Sequence, residues 1–196
     1  MYVQDIFTNF VASEHLSLDN AKLEQFCYTQ KTVDPGRPGD IDAGWRSHDV
    51  DLTSPELHEL LTIINTRIAH LHERFGFKPE RQQKISNVWL NINKYGNSTI
   101  PHIHPHCIFS GVYYVKAQPT SGDIVFMNPV QSMEYAIPTN SVHLNNSANS
   151  ISWSQQPVPG MLLIFPSWIM HYVKQNLDTQ DRISITFNSR IPDGLQ

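Results

Sequence analysis

At 196 residues the chain is long enough for one well-buried core and short for two. Its 18 acidic against 14 basic side chains form no basic stripe, which disfavours nucleic acid as an obligate partner, and 40% hydrophobic with only 16% charged residues exclude a disordered chain. Cys27 and Cys107 make no CxxC pair, and neither a basic leader nor an 18-residue apolar run occurs, so a protein of the reducing cytoplasm with no membrane partner is expected.

Taken in chain order, Tyr2 to Phe7 reads as a short strand, and Leu18 to Gln30 has helical spacing at Leu18, Ala21, Leu23, Phe26 and Cys27. Residues 32 to 48 carry two prolines and three glycines and read as an irregular loop, with Trp45 either covering a pocket or anchoring the excursion. Thr53-Ser54-Pro55-Glu56 is a capping-box signature, and Leu57, Leu60, Leu61, Ile64, Ile68, Leu71 and Phe75 then recur on one helical face until Gly76. His58, His70 and His72 lie on or beside this helix and, lacking an acidic or cysteine partner at ligand spacing, read as solvated.

From Ile85 the period changes from 3.6 to 2. Val88, Leu90 and Ile92 alternate with Trp89, Asn91 and Asn93, and Gly96-Asn97 turns the chain into the next strand. Further short strands are expected at 109–116, 123–127, 133–137, 161–165, 172–174 and 182–189, separated by Pro, Gly, Asn and Ser clusters. The fold class is therefore mainly β: a jelly-roll, or double-stranded β-helix, core over 85–191, with a helical and loop region over 1–84 packed on one face, the whole of 1–196 forming a single domain.

The chemistry gathers at strand ends. In Pro101-His102-Ile103-His104-Pro105-His106, side chains at i and i+2 leave one face, so His102 and His104 point together, and His106 joins them only if Pro105 keeps the chain straight. A third histidine, His171, opens a strand after Phe165-Pro166-Ser167-Trp168, and Arg182 opens the last one with Ser184 on its face. Three ligands on one face of an octahedral ion leave the others open to reactants, and a guanidinium clamps a carboxylate with two parallel hydrogen bonds. Trp89, Trp168 and Tyr172 are candidates to line the cavity.

Together the runs His-x-His-Pro, Ser-Gly-Val-Tyr-Tyr-Val, Phe-Pro-Ser-Trp-x-x-His and Arg-Ile-Ser-Ile-Thr-Phe-Asn resemble a family of 2-oxoglutarate/Fe(II)-dependent oxygenases of bacteria and bacteriophages, related to prolyl 4-hydroxylases and aspartyl/asparaginyl β-hydroxylases. The likeness covers roughly Asn87 to Asn188, with a looser match at Gly44-Trp45-Arg46-Ser47. It implies iron on His102, His104 and His171, and 2-oxoglutarate on Arg182, Ser184 and a tyrosine, Tyr114 or its neighbour Tyr113. It further implies O2 as cosubstrate, ascorbate in support, and hydroxylation of an unactivated C–H bond coupled to decarboxylation of 2-oxoglutarate to succinate. A peptidyl or free amino-acid side chain is the expected substrate, with homodimerisation left open and a bacterial cytoplasm as the place if the gene is phage-borne.

The wider superfamily usually opens with His-x-Asp, and here position 104 is His, so His106, Asp123 and Glu134 remain rival members of the ligand set. An alternative is a cupin-like metal protein, an isomerase or sensor; cupins expect a Glu where this chain has Ile108 and Phe109. A three-histidine zinc hydrolase would leave Arg182 and Ser184 without a role, and a non-catalytic jelly-roll module would make the histidines structural.

Overall fold

The computed structural model describes residues 1–2, 4, 6, 7, 9–38, 44–130 and 132–192. Among these residues ten strands form two antiparallel sheets, and the chain order is β1 (Ala12–His15), α1 (Asn20–Val33), β2 (Trp45–Arg46), α2 (His58–Arg74), β3 (Lys84–Asn93), β4 (Thr99–His102), β5 (Phe109–Lys116), β6 (Ile124–Met127), α3 (Met133–Ala136), β7 (Ser152–Gln155), β8 (Met161–Pro166), β9 (His171–Val173) and β10 (Arg182–Arg190). The large sheet runs β1-β8-β5-β10-β3-β2 and the small one β4-β9-β6-β7, the two-sheet arrangement of a jelly roll.

Alternation along the central strands decides which residues face which layer. From β3, β5, β8 and β10, Val88, Leu90, Ile92, Tyr113, Ile164, Ile183, Ile185 and Phe187 turn outward and join Leu23, Phe26, Leu60, Ile64 and Ile68 of the helices in one apolar cluster. Their neighbours Val112, Tyr114, Leu163 and Phe165 turn inward and meet Ile124 and Phe126 of the small sheet. Gly111 lets β5 sit this close to its partners, since a Cβ there would lie 2.2 Å from the Phe187 ring and 2.5 Å from the Leu163 carbonyl.

Helix α1 starts where the Asp19 carboxylate accepts from the Lys22 N–H at 3.0 Å. The capping box expected at Thr53 does not form: α2 begins at His58 with no side-chain cap, and the Thr53 amide and hydroxyl bond to Asp51 instead. Gly76 follows the helix with φ +69°, as a C-terminal glycine does. His58 and His70 are exposed as expected, but His72 is buried, its Nε2 2.9 Å from the Lys78 carbonyl and its ring stacked on Phe77.

Three further expectations change. Of the strand expected over Tyr2 to Phe7, residues 3 and 5 lie outside the described residues and the others belong to no element; the first strand is β1, paired with β8. Met133–Ala136 is one helical turn rather than a strand, and the sheet position is taken by β7, which pairs with β6. Within the expected loop, Trp45–Arg46 pairs with β3, and the Trp45 indole N–H donates to the Asp34 carbonyl at 3.1 Å, so this tryptophan anchors the loop on the outer core.

Candidate active site

His102 closes β4 and stands directly opposite His171, the first residue of β9. His104 lies two residues past the strand, where its amide donates to the Ser167 carbonyl at 3.0 Å and so ties the histidine run to the turn after β8. The three rings come together: centroids are 4.3 Å apart for His102 and His171, 5.1 Å for His102 and His104 and 5.2 Å for His104 and His171. His106 turns away, exposed and with φ +62°.

The donor atoms suit one cation. Nδ1 of His102 and of His171 each lie 2.8 Å from a carbonyl, of Ile100 and Ile169, which fixes the proton on Nδ1 and leaves the Nε2 lone pair free. One ligand nitrogen from each ring lies within 4.8 Å of the others, and Nε2 of His104 is 3.3 Å from Nε2 of His171. Two nitrogens each about 2.1 Å from an ion are about 3 Å apart when adjacent, so these residues fit a metal.

Burial keeps the rings neutral, as ligands must be. It pulls His171 down to about 4 and His104 to about 3, helped for His104 by the neighbouring His171, His102 and Arg46, and it lowers His102 as well. Phe165 and Phe126 stand beside the His171 ring at 4.7 and 6.0 Å and shut out water there. Among the described residues no carboxylate joins the three histidines: Asp123 accepts from Lys174 at 2.9 Å, and Glu134 is exposed on α3.

Arg182 is 3% exposed. Its guanidinium donates to the carbonyls of Ser121 and Gly122 at 3.0 and 3.1 Å and to Oδ1 of Asn93 at 3.1 Å, and no described carboxylate lies at ion-pair distance. The acidic residues nearest it in sequence are engaged elsewhere, Asp178 with Thr120 and Asp181 with Tyr28. Gly122 has φ +86°, and a Cβ there would meet the Lys174 carbonyl at 2.2 Å, so glycine is what allows the loop to press its carbonyl onto the arginine.

One rung across the inner face of the large sheet carries Tyr114, Ser184, Asn91 and Arg46 on neighbouring strands. Tyr114 is buried with no hydrogen bond to its hydroxyl among the described residues, and burial pushes its phenol up to about 12. Tyr113 faces the other way and donates to Asn20 of α1 at 2.7 Å. Asn91 donates to Thr186 at 2.8 Å, and the Trp89 ring lies 5.8 Å from that of His104. Trp168 stands outside the site, 48% exposed and edge-on to Phe75.

Sequence reasoning assigned no role to Arg46. Its guanidinium lies 4.7 Å over the Trp89 ring, and its Nε is buried without a hydrogen-bond partner. The available signal was the short Gly44-Trp45-Arg46-Ser47 match, and only the pairing of β2 with β3 brings it to the site.

Comparison with known proteins agrees with this geometry. The family model described as "Putative 2OG-Fe(II) oxygenase" matches residues 87–188. No curated protein matches the chain significantly in sequence. Among solved structures it is similar to a prolyl-4-hydroxylase of Pseudomonas putida, with TM-score 0.66 and 14% identity over 94% of each chain. HygX of Streptomyces hygroscopicus with nickel and 2-oxoglutarate bound has TM-score 0.65 and 11% identity, covering 95% of this chain and 84% of its own. A prolyl hydroxylase of Trichoplax adhaerens, in complex with a hypoxia-inducible-factor peptide fragment, has TM-score 0.64 and 14% identity over 94% of this chain and 84% of its own. At these identities the likeness shows the fold.

Proposed function

From the premise that the chain belongs to the 2OG-Fe(II) oxygenase family, we propose that it is a 2-oxoglutarate-dependent hydroxylase acting on a peptidyl or free amino-acid side chain. His102, His104 and His171 would hold the metal, which with 2-oxoglutarate and O2 would supply the oxidising power to turn C–H into C–OH, one oxygen atom going to the product and the other to succinate as 2-oxoglutarate loses CO2, with ascorbate sustaining turnover.

The observation that carries the reading is a buried guanidinium with no carboxylate beside it, on the inner face that also carries the histidine-facing residues. Such a cation is expensive unless an anion completes it, and a dicarboxylic acid lying along the inner sheet does so. Arg182 grips the carboxylate far from the metal, its plane fixed by Asn93 and the Ser121 and Gly122 carbonyls. The Ser184 hydroxyl adds a hydrogen bond, and Tyr114, neutral at any working pH, donates its phenol proton. Phe126 and Phe165 keep water from the His171 side. The substrates named for the Pseudomonas and Trichoplax proteins support an amino-acid side chain as the class to be oxidised. We place the reaction in the cytoplasm, where Cys27 and Cys107 stay free thiols.

Anaerobic titration with Fe(II) and then 2-oxoglutarate tests the reading. The wild type should develop the weak metal-to-ligand charge-transfer band, Arg182→Ala should bind iron without it, and His171→Ala should lose most of its iron. An unchanged band in Arg182→Ala, or full iron occupancy in His171→Ala, overturns the assignment.

A further inference from the structure

The geometry points to Arg46 as the group that recognises a carboxylate on the substrate, so that the side chain to be oxidised belongs to an acidic amino acid or lies beside a free carboxyl end. The inference rests on the reading above for the metal and cosubstrate and adds the substrate's charge.

Arg46 sits on β2, the edge of the large sheet, two strands along the same rung from Ser184. At the usual strand spacing the two backbones are about 10 Å apart. Along β3 that places Arg46 opposite Asn91, one inward-facing position from the Arg182 rung toward the histidines, since Arg46 covers Trp89 and Trp89 adjoins His104.

The guanidinium is incomplete as it stands. Among the described residues its buried Nε has no hydrogen-bond partner, and burial and the nearby Arg37 both act against the charge. The carboxylate that acts on it, Asp49, is already engaged by Arg37 and by the Asn87 amide. A buried donor left open in this way calls for an acceptor, which a bound carboxylate can supply. The group lies 4.7 Å over the Trp89 ring, which holds it in place, and a planar guanidinium so held can offer an edge with two parallel N–H bonds. Two oxygens in one plane match that edge, and a single arginine in a chain of net charge −4 suits a monoanion better than a phosphate dianion.

The test uses protein labelled with 5-fluorotryptophan, loaded with Zn(II) in place of iron and saturated with 2-oxoglutarate. Four tryptophans give four fluorine resonances, and Trp89→Phe identifies the one under Arg46. N-acetyl-L-alanine is titrated in, and its neutral amide serves as the control. The Trp89 resonance of the wild type should move saturably with the acid and about tenfold more weakly with the amide. Arg46→Met, which keeps the stacked bulk, should weaken the acid about tenfold while 2-oxoglutarate affinity stays within about twofold, and Arg46→Lys should fall between.

Equal titration of wild type and Arg46→Met, equal response to acid and amide, or no response to the acid overturns the proposal. So does a tenfold loss of 2-oxoglutarate in Arg46→Met, which would assign the arginine to the cosubstrate. Failure of the wild type to bind 2-oxoglutarate at all would instead defeat the cosubstrate reading, and the same fluorine titration without metal and 2-oxoglutarate would still decide the role of Arg46.

Discussion

The two faces of the large sheet are made from the same strands and do opposite work. On β10, Ile183, Ile185 and Phe187 turn toward the helices and are fully buried among aliphatic neighbours, while Arg182, Ser184 and Thr186 turn toward the small sheet and carry polar or charged groups. On β3 the same split sets Val88, Leu90 and Ile92 against Trp89, Asn91 and Asn93. A strand held on one side by close-packed hydrocarbon can present unsatisfied polar groups on the other without losing its place, because its register is set by the apolar face. Stability and chemistry are thus separated by one residue of offset.

The separation can be broken most forcefully from the outer face. Phe187→Ala removes a fully buried ring that packs over Gly111 and should destabilise the protein by about 3–5 kcal/mol in urea unfolding, with 2-oxoglutarate affinity in the folded fraction unchanged. On the inner face Arg182→Met should do the reverse. Calorimetry should show about a hundredfold loss of 2-oxoglutarate affinity, while the melting temperature of the free protein holds or rises, because a buried cation lacking a counter-charge has been removed.

The histidines give a pH dependence of intermediate size. Their folded pKa values, about 4 for His171 and about 3 for His104, lie below the ordinary 6.5, so the unfolded chain takes up protons that the folded one refuses. Their contribution to the metal-free protein is complete above pH about 6.5 and should be lost progressively as pH falls toward 4 and then 3. His171→Asn should flatten that slope in acid unfolding curves; an unchanged slope would place the buried neutral rings outside the linkage. The smallest effect expected is Ser184→Ala, which removes one neutral hydrogen bond and should weaken 2-oxoglutarate about threefold to tenfold, with stability unaltered.

How much of this was legible follows from how far each feature depends on local pattern. The alternation over 85–93 is local, and so the outer and inner residues of β3 could be assigned by period alone. The association of His102, His104 and His171 could be read because each lies in a short run next to a strand end. Arg46 could not, since a two-residue strand in a glycine-rich loop has no periodicity and exists only through its pairing with β3. His72 looked solvated by its lack of metal-binding partners, and what buries it is Phe77 and the Lys78 carbonyl, on the far side of the turn that ends α2. The run at 133–137 carries the strand-forming Tyr135 and Ile137, but the segment Ser152–Gln155 takes the place beside β6. Which way Tyr113 and Tyr114 face could not be read from adjacent positions, because it depends on the helices packing against the outer face.

The placing of His102 at the end of β4 reaches beyond the site. That strand is four residues long, lies at the margin of the small sheet and pairs with β9 alone, so it is the part of the donor set most easily frayed. An ion shared among these rings would rivet it, through His102, to His171, 69 residues further along the chain. Filling the site and finishing the sheet then become a single cooperative event, and slowed amide exchange across Thr99–His102 on metal loading would be its visible sign.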